Sequence, residues 1–120
     1  MRLAALAALV VGLAAVPAHA APPIKITRVQ VSGKEFWYAL SRRTVVAGPA
    51  IVEFVNFGED PHDMRIRRVG GTRTYKTPIV QPGAYFDVEL KLVPGRYELW
   101  CSVANHEALG MKAFLTVRAA

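Results

Sequence analysis

Residues 97–117 read YELWCSVANHEALGMKAFLTV, two β-type runs joined by a short loop. Successive side chains of a strand face opposite sides, so Cys101 lies on the apolar side of its strand and Trp100 on the other. The loop that follows carries His106, and the returning strand begins near Met111. The stretch therefore predicts a β-hairpin that brings a thiol, an imidazole and a thioether close together.

The rest of the chain also consists of short β-type runs, separated by Gly and Pro at fairly regular intervals. The candidate strands are residues 26–31, 36–40, 50–57, 63–68, 73–75, 84–90, 95–101 and 111–117. About seven or eight strands in a chain of this size predict an all-β fold, an antiparallel β-sandwich or barrel forming a single domain.

The N-terminus has the pattern of a secretory signal peptide. Arg2 precedes an apolar run over residues 3–16, and residues 18–20 form a small-x-small cleavage site. An uncleaved membrane anchor is the alternative, but the run is shorter than the ~20 apolar residues that span a bilayer. We expect residues 1–20 to be removed, leaving residues 21–120 as an exported, periplasmic or extracellular domain with no membrane insertion.

Removal of that segment changes the charge balance only slightly. The whole chain has 15 basic and 9 acidic residues, and the loss of Arg2 leaves 14 against 9, a net charge of +5. The basic residues form no long block, and an exported protein rarely meets nucleic acid, so a nucleic-acid function is not expected. The charge favours an acidic protein partner, and we expect a monomer.

The residues with metal-binding chemistry are few. The mature chain has two histidines, His62 and His106, one cysteine, Cys101, and two methionines, Met64 and Met111. A lone cysteine excludes an intrachain disulfide, so in an oxidising compartment its thiol is buried, paired with another chain or bound to a ligand. Taken singly, each of these residues is also commonly ordinary core packing.

Taken together, four of them form a recognisable ligand set. His106 follows Cys101 by five residues, Met111 follows His106 by five, and His62 lies 39 residues upstream of Cys101. Two imidazoles, a thiolate and a weak axial thioether are the ligands of a trigonal copper site. Strand alternation turns His62 inward, and the turn after the inward-facing Asn56 presents it.

Alternation also predicts the surroundings of His62. Met64 and Ile66 share its apolar face, whereas Asp63 and the two arginines of the same strand share the charged face. The basic side chains on that outer face are Arg65 and Arg67.

The sequences VNFGEDPHDMRI (residues 55–66) and YELWCSVANHEALGMKAFLTV (residues 97–117) resemble those of the cupredoxins, the small blue copper proteins. The Cys-x4-His-x4-Met spacing is most similar to that of the rusticyanin-like members. The resemblance implies a Greek-key β-sandwich and one copper held by His62, Cys101, His106 and Met111. It also implies electron carriage with a redox partner, for which an acidic cytochrome is our expectation.

One residue departs from the family pattern. Cupredoxins usually have Asn or Ser directly after the first histidine, where this chain has Asp63. In the family this residue ties the two ligand loops together and its backbone amide donates to the cysteine sulfur. We expect Asp63 to do both, with Ser102 as its side-chain partner, and to bring a negative charge near the metal.

Two other functions use the same residues. A copper chaperone, storage protein or sensor would need an open, exchangeable site, with methionines or histidines to spare at the surface. A cysteine hydrolase would need Cys101 beside His106 together with an orienting group and an oxyanion hole, and the sequence shows neither. We therefore predict an electron carrier and no enzyme. We also expect the edge of the His106 ring to reach the surface through an apolar patch, formed by Val103, Ala104, Ala108 and Leu109.

Overall fold

The computed structural model describes residues 11–120, and in this range nine β-strands form two sheets. The strands are β1 (Thr27–Lys34), β2 (Trp37–Leu40), β3 (Thr44–Val46), β4 (Gly48–Asn56), β5 (Arg65–Arg68), β6 (Thr74–Lys76), β7 (Tyr85–Leu92), β8 (Gly95–Trp100) and β9 (Lys112–Arg118).

The first half of the predicted signal peptide, residues 1–10, lies outside the described residues, and residues 11–26 contain no strand or helix. A search of the described part of the chain finds no helix with the length and apolar character needed to cross a membrane.

The two sheets pack face to face as a sandwich, which confirms the predicted all-β fold. One sheet has the order β2-β1-β4-β7 and the other β3-β9-β8-β5-β6. Two neighbouring pairs, β1 with β4 and β3 with β9, run parallel. The sandwich is thus not antiparallel throughout, because the chain changes sheet on both sides of β3 and neither parallel pair is joined by a hairpin.

The core lies between the sheets and follows the alternation of the strands. In β4, Val52, Phe54 and Asn56 are buried while the residues between them are partly exposed, and in β8 Tyr97 and Leu99 are buried in the same way. Each apolar side chain buried in this manner stabilises the fold by about 1.5–3 kcal/mol. Burial of one face therefore sets the register of both strands.

Strand pairing in the second sheet makes three loop ends converge. Trp100, the last residue of β8, pairs with Arg65 at the start of β5 and with Lys112 at the start of β9. Residues just before β5, just after β8 and just before β9 must therefore lie side by side. His62, Cys101 and Met111 occupy these positions or lie within three residues of them.

Strand boundaries differ from the predicted ones in two informative places. The sequence did not predict β3, a three-residue strand that pairs in parallel with residues 116–118 of β9. The predicted strand over residues 63–68 begins only at Arg65, because the backbone amide of Met64 binds the Thr77 hydroxyl at 3.0 Å instead of a neighbouring strand. The other strands agree with the prediction to within three residues at each end.

Candidate metal centre

Three of the four predicted ligands form one buried cluster. Nδ1 of His62 lies 3.1 Å from Nδ1 of His106, and Sγ of Cys101 lies 4.0 Å from the first of these atoms and 3.6 Å from the second. The three residues are exposed by 0%, 7% and 1%, in the order His62, His106, Cys101. We call this cluster the ligand triangle.

The dimensions of the ligand triangle fit a metal ion. From these separations, the point in its plane equidistant from the three atoms lies about 2.1 Å from each. A metal such as zinc lies ~2.0–2.1 Å from imidazole nitrogen and ~2.3 Å from thiolate sulfur. One ion can therefore contact both imidazoles and the thiolate with little movement of the side chains.

Backbone hydrogen bonds hold the loop that carries two of the triangle residues. The amide of Cys101 donates to the Met111 carbonyl at 3.1 Å, and the amide of Met111 donates to the His106 carbonyl at 3.0 Å. Within the loop, the His106 amide donates to the Val103 carbonyl at 3.1 Å. The loop thus folds on itself, and it brings the Cys101 sulfur within 3.6 Å of Nδ1 of His106.

Met111, the fourth predicted ligand, is fully buried beside this loop. A Cβ at Gly33, near the end of β1, would lie 3.2 Å from the Met111 methyl carbon. The thioether therefore lies between the ligand loop and the end of the first sheet, where a side chain larger than hydrogen at position 33 would crowd it.

Asn56 holds the turn that presents His62. Its side-chain carbonyl accepts from the Gly58 amide at 2.9 Å, and its side-chain amide donates to the carbonyls of Asp60 at 2.8 Å and Val80 at 2.9 Å. Val80 also exchanges two backbone hydrogen bonds with His62. The buried amide thus fixes the turn on both sides of the histidine.

Several solved structures with the same architecture are small copper proteins or cupredoxins. Auracyanin from Roseiflexus castenholzii matches with 19% identity over 77% of this chain and 97% of that one, with a TM-score of 0.63. Rusticyanin, a copper protein, matches with 19% identity over 81% of this chain and 82% of the rusticyanin chain, with a TM-score of 0.60. A purple cupredoxin from Nitrosopumilus maritimus matches with 18% identity over 77% of this chain and 99% of that one, with a TM-score of 0.55. The chain has the cupredoxin fold.

One further match is a multicopper oxidase, of which this cupredoxin-fold chain spans 42%, with 18% identity and a TM-score of 0.54. No protein-family model and no curated protein sequence matches the chain.

Asp63 ties the two halves of the candidate site together. One carboxylate oxygen accepts from the Ser102 amide at 2.6 Å, and the other accepts from the Ser102 hydroxyl. The Tyr38 hydroxyl donates to the Asp63 carbonyl. The expected partnership with Ser102 is confirmed. Asp63 was also predicted to share the charged face with Arg65 and Arg67, and its Oδ2 lies 3.8 Å from Nε of Arg65, although Asp63 itself is buried. It is 4% exposed, because it precedes β5 and turns toward the neighbouring ligand loop.

The thiol of Cys101 is buried among the groups of the candidate site. Burial raises its pKa, while hydrogen bonds from the backbone amides of Asp63 and Val103 act in the opposite direction. The contact from the Asp63 amide is the one expected from the cupredoxin resemblance. A hydrogen bond to the sulfur favours its deprotonated form.

The sequence analysis missed Glu35, which lies in the turn between β1 and β2. Its Oε1 lies 2.9 Å from Nε2 of His62 and also accepts from the amides of Glu59 at 2.8 Å and Asp60 at 2.7 Å. The Asp60 hydrogen bond is the largest cause that lowers the pKa of Glu35 to about 2. Nothing in the local sequence indicates this contact, because it joins residues 27 positions apart through two loops.

The same turn covers the second histidine. The Phe36 ring lies 4.7 Å from the His106 ring, between centroids, and 6.3 Å from the His62 ring. His106 is consequently more covered than expected. Of the residues predicted to form an apolar patch around it, Ala104, Ala108 and Leu109 are exposed and Val103 is half-buried, and the exposed polar residues Asn105 and Glu107 lie among them in the loop.

Proposed function

We propose that this cupredoxin-fold protein binds one copper ion through Nδ1 of His62, Sγ of Cys101 and Nδ1 of His106, with Met111 as a weak axial ligand, and carries single electrons. The observation that carries this proposal is the buried ligand triangle, whose dimensions and donor atoms suit the ion. When bound, copper supplies one-electron chemistry by alternating between Cu(I) and Cu(II).

The site favours electron carriage over copper delivery or storage. The three triangle residues are almost fully buried, and hydrogen bonds from Asn56, Asp63 and the loop backbone hold their positions. A site that exchanges metal with another protein needs ligands within that protein's reach. A rigid, enclosed donor set instead limits rearrangement between oxidation states, which is what an electron carrier requires.

The environment of Cys101 also argues against a cysteine hydrolase. Its sulfur lies 3.6 Å from His106 Nδ1, within range for a nucleophile and base. The cysteine is only 1% exposed, however, and burial raises the pKa of its thiol, whereas a nucleophilic cysteine needs access to substrate and a lowered pKa.

Cu(II) titration of the purified protein tests the proposal. We expect one equivalent to produce an intense thiolate-to-copper band in the visible spectrum, with a matching electron-paramagnetic-resonance signal that disappears on reduction and returns on reoxidation. Zinc competition is a useful control, since imidazole and thiolate sites bind Cu(II) more tightly than Zn²⁺. A colourless complex, or one that does not survive repeated reduction, would contradict electron carriage.

We also propose that the protein is exported and exchanges electrons with an acidic redox protein. The signal-like segment at residues 1–20 and the net charge of +5 that remains without it support this proposal. Mass spectrometry of the protein purified from its native compartment tests the first part. A mature chain that begins at Ala21 is expected, and a chain that retains residues 1–20 would contradict it.

A further inference from the structure

Glu35 makes a contact that a purely structural carboxylate does not need. Two of its three hydrogen bonds, from the amides of Glu59 and Asp60, hold the turn before His62. The third comes from the imidazole itself, over 2.9 Å to Nε2. The same carboxylate oxygen thus binds both the loop that carries the histidine and the ring at its end.

The contact determines which nitrogen of His62 is free to bind a metal. An ionised carboxylate only accepts hydrogen bonds, so Nε2 must carry the proton and Nδ1 keeps its lone pair. Nδ1 is the atom that faces Cys101 and His106 in the ligand triangle. Carboxylate–imidazole–metal arrangements of this kind fix the tautomer and ring orientation and make the imidazole a stronger donor.

The fold also makes room for this carboxylate. A Cβ built on Gly58 would overlap the Glu35 carboxylate oxygen. The clash involves the far end of a flexible side chain, so a methyl group at position 58 would displace the carboxylate and leave the backbone in place. The absence of a side chain at Gly58 therefore leaves the space that the Glu35 carboxylate occupies beside the His62 loop.

We propose that Glu35 is a positioning residue that holds His62 in its Nε2-protonated form and lowers the reduction potential of the metal centre. This inference rests on the proposed copper site. The negative charge of Glu35 and the stronger donation of the His62 imidazole both favour Cu(II) over Cu(I).

Glu35→Gln is the informative variant, because the amide oxygen can accept the same three hydrogen bonds while the charge is removed. We expect a higher reduction potential and a Cu(II) dissociation constant raised by about 10- to 100-fold, with little change in thermal stability. Gly58→Ala should shift both quantities in the same direction by displacing the carboxylate. The matched control is Glu89→Gln, which removes one charge from an exposed position on β7. Glu89 pairs with Ile51, five residues from the Asn56 end of β4 and thus roughly 17 Å from it.

A measurement on the metal-free protein separates this inference from the copper proposal. Nitrogen-15 NMR of the imidazoles should show His62 as the Nε2-protonated tautomer in the unsubstituted protein and as a mixture of tautomers in Glu35→Ala. If Glu35→Gln remains blue and its reduction potential and Cu(II) affinity are unchanged, the proposed role of Glu35 is wrong, while the proposed copper site is still supported. Failure to bind copper would contradict the proposed function, and the tautomer would still decide whether Glu35 positions His62. An Nδ1-protonated His62 in the unsubstituted protein would overturn the inference.

Discussion

Asp63 binds Ser102 through both of its carboxylate oxygens, one accepting from the backbone amide and the other from the hydroxyl. The two residues are 39 positions apart and each directly adjoins a residue of the ligand triangle, His62 and Cys101 respectively. The carboxylate therefore fixes the relative position of the two ligand-bearing loops. It also leaves a buried negative group close to the proposed metal.

Replacing Asp63 separates these two effects. Asp63→Asn should raise the reduction potential, because it removes a charge that favours Cu(II), while the amide oxygen still accepts one hydrogen bond from Ser102. Asp63→Ala should lower the free energy of unfolding by about 1–3 kcal/mol, since it removes two hydrogen bonds to a charged group that join the ligand loops. Voltammetry and urea unfolding measure the two quantities. An unchanged potential in the Asn variant would show that the charge at Asp63 is screened or neutralised.

Cys101→Ser should abolish the blue colour and weaken copper binding strongly. A hydroxyl is a poor ligand for Cu(I) and gives no sulfur-to-copper charge transfer. Absorption spectra recorded during Cu(II) titration provide the measurement. The assignment of Cys101 as a ligand fails if the Ser variant keeps the intense visible band.

The two buried methionines provide a matched pair for the axial position. Met111→Leu should retain copper and raise the potential, because the weak thioether ligand is lost, and Met111→Gln should lower it. Met64→Leu is the control, since Met64 is equally buried in the same core but is not one of the predicted ligands. If the reduction potential changes in Met64→Leu and stays the same in Met111→Leu, Met64 is the axial ligand and Met111 is not.

Asn56→Ala should destabilise the fold and loosen the site. The change removes three hydrogen bonds of a fully buried side chain, each worth about 0.5–1.5 kcal/mol, and two of them hold the turn before His62. The other asparagine in the chain, Asn105, is exposed, and Asn105→Ala serves as the control. Thermal unfolding of both variants makes the comparison, and equal melting temperatures would contradict the role of Asn56.

Electrostatic steering can be tested on the outer face of β5. Arg65 and Arg67 are half-buried there, and the Arg67 guanidinium lies 5.2 Å from the centre of the Trp100 ring, next to Cys101. Electron transfer to an acidic cytochrome should slow as salt rises, because the Debye length falls from ~30 Å at 0.01 M to ~8 Å at 0.15 M.

The variant Arg65→Glu with Arg67→Glu should slow that reaction and reduce its salt dependence in stopped-flow measurements. The control with the same charge change is Arg42→Glu with Arg43→Glu, between β2 and β3 and away from the ligand loops. If both double variants behave alike, the steering is not located at β5, and the apolar patch around His106 becomes the docking surface to examine.

The amino-acid sequence by itself determined the all-β class, the inward direction of Cys101 and His62, and the donor set of the candidate site. These features depend on local patterns, namely the two-residue period of strands and fixed spacings within one loop, which the covalent chain imposes directly. The burial of Asp63, the added strand β3 and the Glu35 contact to His62 were decided only by the tertiary structure. Each depends on groups far apart in sequence that meet after the sheets have packed, so no local pattern records them.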